Sequence, residues 1–239
     1  MFGFEYYTPT RVIFGKGSEN RVGERVQEYG AQKVLIHYGG QSAVKSGLLD
    51  RVKAALDASG IPHVELGGVV PNPHLSKVRE GIALGKQETV DFILAVGGGS
   101  VIDSSKAIAY GLAEPEHDVW ELFCKKRKAK RALLVASILT IAAAGSETSN
   151  SCVITKEQSG EKRAYNDNIS RPKFAIMNPE LTMSLPDYQT ESGCTDIMMH
   201  TMERYFTNTT HVDLTDRLCE AALRSIIANG EKTLKEPEN

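Results

Sequence analysis

The chain has 239 residues, 41% of them apolar and 24% charged, with a formal net charge of −2 and a pI near 6.3. That composition fits one large globular domain or two smaller ones, and it excludes a basic nucleic-acid binder. No apolar run reaches membrane-spanning length, and the start MFGFEYYTPTRVIFG lacks the features of a secretory signal, so a cytoplasmic setting is expected. The cysteines Cys124, Cys152, Cys194 and Cys219 form no C-x-x-C pair, and reduced thiols are expected rather than disulfides or a zinc ribbon.

Val12 opens a short strand, and Ser18 is placed to cap a helix over residues 19–29 that Gly30 ends in a left-handed turn. Residues 33–38 (KVLIHY) read as a buried strand, closed by the Gly39-Gly40 turn. The next helix carries Leu48, Leu49, Val52 and Leu56 on one face and stops at Gly60. A strand over 63–66 follows. Pro71-Asn72-Pro73 then breaks the chain before a helix over 75–86 and the apolar strand 92–96. Three glycines and Ser100 close that strand, and a helix is predicted over 101–110. The irregular stretch beyond it carries Trp120 and the basic run 125–131 (KKRKAKR), read as a solvated loop ahead of a strand over 132–139. Residues 152–155 and the run after Ser159-Gly160 form a hairpin, and 174–177 returns to the sheet. Beyond Leu185-Pro186-Asp187 only helices appear, over 188–207 and 213–228. The alternation predicts an α/β domain with a mainly parallel sheet over residues 1–185, followed by an all-helical segment over 186–239.

The segment FILAVGGGSVIDSSKAIA places three glycines between a buried strand and a helix. Backbone without Cβ atoms approaches a pyrophosphate closely, and N–H groups at a helix start point at its charge. Neither G-x-G-x-x-G nor the P-loop pattern is present, and glycine runs also end strands for structural reasons, so both readings stay open on these residues alone. The earlier loop YGGQSAVK has no carboxylate to accept from a ribose 2′-hydroxyl, while Ser42 and Lys45 suit a 2′-phosphate; NADP is therefore expected ahead of NAD. Asp196 and His200, four apart on a predicted helix, share one face and suit a borderline transition metal, with an exposed ion pair as the plain alternative. His37, His63, His74 and His117 are read as structural or exposed.

Together these segments resemble the iron-containing alcohol dehydrogenases, most closely their butanol dehydrogenase and aldehyde reductase branch. The likeness is carried by FEYYTPTRVIFGKGS, YGGQSAVKSGLLDRV, GGVVPNP, AVGGGSVIDSSKAIA, ILTIAAAGSETSNSCVIT, NPELTMSLP and GCTDIMMHTMERYF. It implies an N-terminal Rossmann-like dinucleotide-binding domain, an all-helical domain, and metal-dependent hydride transfer between NAD(P)H and an aldehyde or primary alcohol. By matching motif, Gly39, Gly40 and Ser42 hold the adenosine ribose or its phosphate, and Asn72 lies in the PNP segment. Gly98, Gly99, Ser100 and Asp103 fall in the pyrophosphate and nicotinamide-ribose loop. Thr140, Ser149 and Lys162 match further cofactor contacts. Asp196 and His200 match the first two ligands of Fe2+, with Zn2+ as the alternative. The metal takes the role of a protein acid, and no catalytic side chain is assigned. The family has a Pro and a Thr where this chain reads Ala142 to Ala144. Two further histidine ligands are absent from these 239 residues, and His211 matches neither, so the chain reads as a truncated member. Small alcohols or aldehydes are the expected partners, nucleic acid and membrane are not, and a homodimer stays open. Two rival readings share these residues: a nucleotide-binding fragment without catalysis, and a glycerol dehydrogenase or dehydroquinate synthase-like enzyme.

Overall fold

The computed structural model describes residues 3–237 and divides into two compact units. The larger comprises Pro9–Thr140 and Ser146–Pro179. Its centre is a six-stranded, all-parallel sheet in which β1 (Arg11–Phe14), β2 (Val34–Tyr38), β3 (His63–Leu66), β4 (Phe92–Gly97), β5 (Leu134–Leu139) and β8 (Phe174–Met177) take the order β1-β8-β5-β4-β2-β3. All six residues of β4 are buried. Parallel strands covered on both faces read as continuous apolar runs, which is why FILAV and VLI show no alternation.

The two faces of the sheet carry different helices. Leu35, Ile93 and Val135 stand in register and join Leu75, Val78 and Ile108 of α4 (Leu75–Gln87) and α5 (Gly99–Ala113) in one core. One residue along, Phe92 stacks near Phe174, and Phe174 meets Tyr29 at the end of α1 (Val22–Glu28). Helix α1 packs on α3 (Leu48–Ala58), whose buried residues Leu48, Leu49, Val52 and Leu56 are those expected. That approach is close enough to require Gly23, since a Cβ there would lie 2.1 Å from the Ala55 carbonyl oxygen.

An antiparallel hairpin, β6 (Ser151–Lys156) with β7 (Glu161–Asn166), packs beside α5 through Cys152, Ile154 and Tyr165. The basic run wraps a buried carboxylate. Glu114 accepts from the backbone N–H groups of Lys130 (2.5 Å) and Arg131 (2.9 Å) and pairs with the Arg127 guanidinium, while Lys125, Lys126 and Lys128 are exposed. In NPEL, the Asn178 side chain donates to buried Glu19 (2.8 Å), which also pairs with Arg51.

Three local expectations are corrected. Ser18 does not cap a helix: Gly17 takes a left-handed conformation, Ser18 lies inside a 3-10 turn over Ser18–Arg21, and α1 starts at Val22. Its hydroxyl is buried and has no partner among the described residues. Helix α5 begins within the glycine run, two residues ahead of Val101. The stretch around Trp120 holds a short helix, α6 (Trp120–Phe123), because Trp120 and Phe123 stack and are buried.

The smaller unit gathers the stretch up to Thr8, Ile141–Gly145 and the chain from Glu180 onward. It is built on α7 (Asp187–Tyr205) and α8 (Asp213–Lys235). These run antiparallel, since Tyr205 donates to Glu220 while Gly230 lies beside Cys194. Helix α8 continues past residue 228 through Gly230. Among the described residues no helix is long and apolar enough to cross a membrane.

Candidate functional site

The strand order changes direction between β2 and β4: from β2 the chain moves outward to β3, and from β4 it moves the other way to β5. In open parallel sheets the crevice beyond the C-terminal strand ends at such a point is where ligands bind. Gly39 and Gly40 leave β2 there, and the Gly39 carbonyl accepts from Gly68 N–H (2.8 Å). Ser42 opens a short turn of helix, α2 (Ser42–Lys45), with Ser42 and Lys45 both exposed. Gly98 leaves β4 in extended conformation (φ −91°, ψ −167°) and Gly99 starts α5. The helix therefore turns its unpaired first N–H groups toward the end of the sheet, with Ser100 in its first turn. Thr140 ends β5 with its N–H donating to the Gly97 carbonyl (3.3 Å).

Asn72 and Lys162, ninety positions apart, meet: Lys162 Nζ donates to Asn72 Oδ1 at 2.7 Å. Asn72 takes a left-handed conformation (φ 56°), and the hairpin docks beside it through Thr155 N–H on the Pro73 carbonyl (2.9 Å). Under the crevice His37 is fully buried between two partners, 2.8 Å from the Leu66 carbonyl and 2.9 Å from Ser104 Oγ. A carbonyl only accepts, so Nδ1 carries the proton and Nε2 accepts from Ser104. Burial lowers the His37 pKa to about 4, with Lys77 adding to that and the Leu66 hydrogen bond and Glu80 opposing it. The structural reading of this histidine stands.

One residue escaped the sequence reading. Lys106 is fully buried in α5, and its ammonium donates to the carbonyls of Ser146 (2.8 Å), Ser149 (3.0 Å) and Ser151 (2.8 Å) and to Ser146 Oγ (3.1 Å). Ser146 Oγ in turn donates to Asp103 Oδ1 (2.5 Å), and Val153 N–H donates to Asp103 Oδ2 (3.0 Å). Ser149 Oγ accepts from Ser151 N–H (3.0 Å). Burial pushes Asp103 up and Lys106 down, and each is partly held charged by the other. A lysine inside the run Ser104–Gly111, every residue of which is buried, was the available signal.

In the helical unit, Asp196 Oδ1 and His200 Nε2 lie 3.7 Å apart on one face of α7, with side chains 43% and 46% exposed. Two donors about 2.1 Å from one tetrahedral ion stand roughly 3.4 Å apart, so the pair fits two positions of such a site after a small movement. Among the described residues no group of three His, Cys, Asp or Glu joins to hold a metal, and the pair is half a donor set. Helix α7 lies against the small residues of Ile141–Gly145: a Cβ on Gly193 would be 2.5 Å from the Ala142 carbonyl oxygen. A groove of about 340 Å³, lined by Ala143, Ile197, Leu218 and Cys219 with His200 and Arg204, runs along the same face. His211 is exposed in the loop between α7 and α8, away from any such cluster.

A family model described as iron-containing alcohol dehydrogenase matches residues 9–179. The chain is 43% identical over 239 residues to a probable NADH-dependent butanol dehydrogenase 2 of Bacillus subtilis, covering 100% of this chain and 61% of that protein. It is 38% identical over 241 residues to the NADPH-dependent aldehyde reductase YqhD of Escherichia coli, again covering 100% of this chain and 61% of the relative. The crystal structure of NADH-dependent butanol dehydrogenase A from Thermotoga maritima superposes with a TM-score of 0.96 at 38% identity, over 99% of this chain and 59% of that one. The chain thus spans about 61% of the length of the curated relatives it matches.

Proposed function

The chain belongs to the iron-containing alcohol dehydrogenases, and from that premise we propose that its larger unit binds a nicotinamide dinucleotide for hydride transfer to or from an aldehyde or primary alcohol. The observation that carries this reading is the pair of glycine turns, Gly39-Gly40 and Gly97–Gly99, at the C-terminal ends of adjacent strands where the strand order changes direction. The start of α5, with Ser100, receives the pyrophosphate, because aligned N–H groups and the helix dipole favour an anion there. Gly39, Gly40 and Ser42 take the adenosine ribose, and Thr140, Ser149, Asn72 and Lys162 make the remaining contacts. Asp103 is proposed as a further cofactor contact in this loop; each of its oxygens accepts one protein donor, from Ser146 and Val153, which also ties it to the 146–153 segment and leaves acceptor capacity on both.

NADP is the preferred cofactor on the residues, since exposed Ser42 and Lys45 suit a 2′-phosphate and the loop has no carboxylate to repel it. The relatives divide on this point, the Bacillus protein being named NADH-dependent and the E. coli one NADPH-dependent. Asp196 and His200 are proposed as two ligands of Fe2+ or Zn2+, an anionic oxygen and a neutral nitrogen suited to either ion. A bound divalent ion supplies Lewis acidity at the alcohol or carbonyl oxygen. Among the described residues no third His, Cys, Asp or Glu joins this pair.

The test is titration of the chain with NADH and NADPH, followed by nicotinamide fluorescence, together with metal content after dialysis against Fe2+ or Zn2+. Saturable cofactor binding that Gly99→Val abolishes supports the crevice. Binding of neither cofactor refutes the reading. Cofactor binding with no retained metal favours a nucleotide-binding role without catalysis in this chain.

A further inference from the structure

A buried lysine is costly, because the ammonium loses its hydration, and a methionine of similar length fills the same space without that loss. Lys106 therefore asks for a use. All four of its partner atoms belong to one segment, Ser146 to Ser151, and Asp103 fixes the same segment at Ser146 and Val153. Carbonyl oxygens repel one another, and here the three N–H donors and the charge of the ammonium offset that repulsion. Ser146, at the start of this segment, abuts the glycine turn, its Cβ 3.9 Å from where a Cβ on Gly99 would stand. The charge on α5 thus shapes the strand of backbone beside the helix start.

We propose that Lys106, acting with Asp103 through Ser146, is a positioning residue that holds residues 146–153 in the shape that completes the dinucleotide crevice. This rests on the reading of that crevice as a nicotinamide cofactor site. The Lys106 ammonium is directed at Ser146, Ser149 and Ser151 of its own chain, and it acts by fixing Ser149 and its neighbours against the helix that receives the pyrophosphate. Without the ammonium, the carbonyls of Ser149 and Ser151, which are partly buried, lose that charged donor, the Ser146 carbonyl keeps only the Ser149 N–H (3.2 Å), and the segment loosens toward water.

The experiment compares the full chain with Lys106→Met and Ser146→Ala, reading amide hydrogen exchange along the chain and, separately, NADH and NADPH affinity by fluorescence titration. In Lys106→Met, exchange of residues 146–153 is expected to speed by about tenfold or more while β2 and β4 keep their protection, and cofactor Kd rises by about tenfold. Ser146→Ala, which keeps the lysine, is expected to show both effects in smaller measure, and it decides the matter if Lys106→Met does not fold. Unchanged exchange in 146–153, a uniform loss of protection across the sheet, or a Kd within about twofold of the parent despite a loosened segment would each overturn the proposal. If the parent chain binds neither cofactor, the dinucleotide reading itself fails; the exchange data then still report separately whether Lys106 holds the segment.

Discussion

Acid acts on this fold through His37. The imidazole sits at the junction of three elements of the crevice: it belongs to β2, donates to the carbonyl of Leu66 at the end of β3, and accepts from Ser104 in α5. Protonation converts the Nε2 acceptor into a donor aimed at Ser104 and places a charge where no solvent reaches. The folded protein holds this group neutral down to about pH 4, against a value of 6.5 for the unconstrained side chain. Between those two values the unfolded chain binds more protons than the folded one, so stability falls as pH falls. The contribution is fully present above about pH 6.5 and is lost progressively toward pH 4. At about 1.4 kcal/mol per pH unit, the interval corresponds to a loss on the order of 3 kcal/mol. Carboxylates titrate over the same range, so urea unfolding followed by circular dichroism is run in parallel on the parent and on His37→Asn, from about pH 7.5 to about pH 4.5. The parent's advantage over the variant is expected to shrink by roughly 2–3 kcal/mol over that range. An advantage constant to within about 0.5 kcal/mol, or an NMR titration of His37 near its ordinary value, would refute the argument.

Gly23→Ala is expected to destabilise the chain by about 2–3 kcal/mol in urea unfolding, because the atom met by the new Cβ at 2.1 Å is the backbone oxygen of Ala55 and α3 must shift to admit it. A loss below about 1 kcal/mol would mean that α1 and α3 part easily. Asp196→Ala and His200→Ala should each lower the Fe2+ or Zn2+ retained after dialysis by roughly tenfold or more, measured by elemental analysis; parent and variants with equal metal content would remove the pair from the site. Lys45→Glu should weaken NADPH by roughly fivefold, about 1 kcal/mol, while leaving NADH within about twofold, and equal effects on the two cofactors would argue against a phosphate contact.

Much of this architecture was legible because it is local. The runs VLI and FILAV announce strands buried on both faces, and the leucine and valine spacing of 48–56 announces α3 with its buried side already chosen. The Asp196/His200 pair needed only the helical period, and the structure keeps it on one face at 3.7 Å. Where local chemistry competes, the expectation failed. Ser18 has the hydroxyl of a capping residue, but the left-handed turn at Gly17 puts it inside a 3-10 turn. Trp120 stands in the short apolar cluster VWELFC between the charged runs EPEHD and KKRKAKR, and its short helix forms because Trp120 and Phe123 are buried together.

Composition, apolar runs and glycine turns thus determined by themselves the α/β class, most element positions and the two glycine turns, since each depends on contacts within a few residues. Only the tertiary structure decided the strand order, which inserts the last strand, β8, between β1 and β5, and which sets β3 outside β2 and β5 on the far side of β4, so making the β2/β4 crevice. It alone paired Asn72 with Lys162 and gathered three carbonyls around Lys106. A sequence shows that a lysine lies in an apolar helix, but the acceptors that let it stay charged there come from a segment 40 to 45 positions away, and chain folding alone brings them to it.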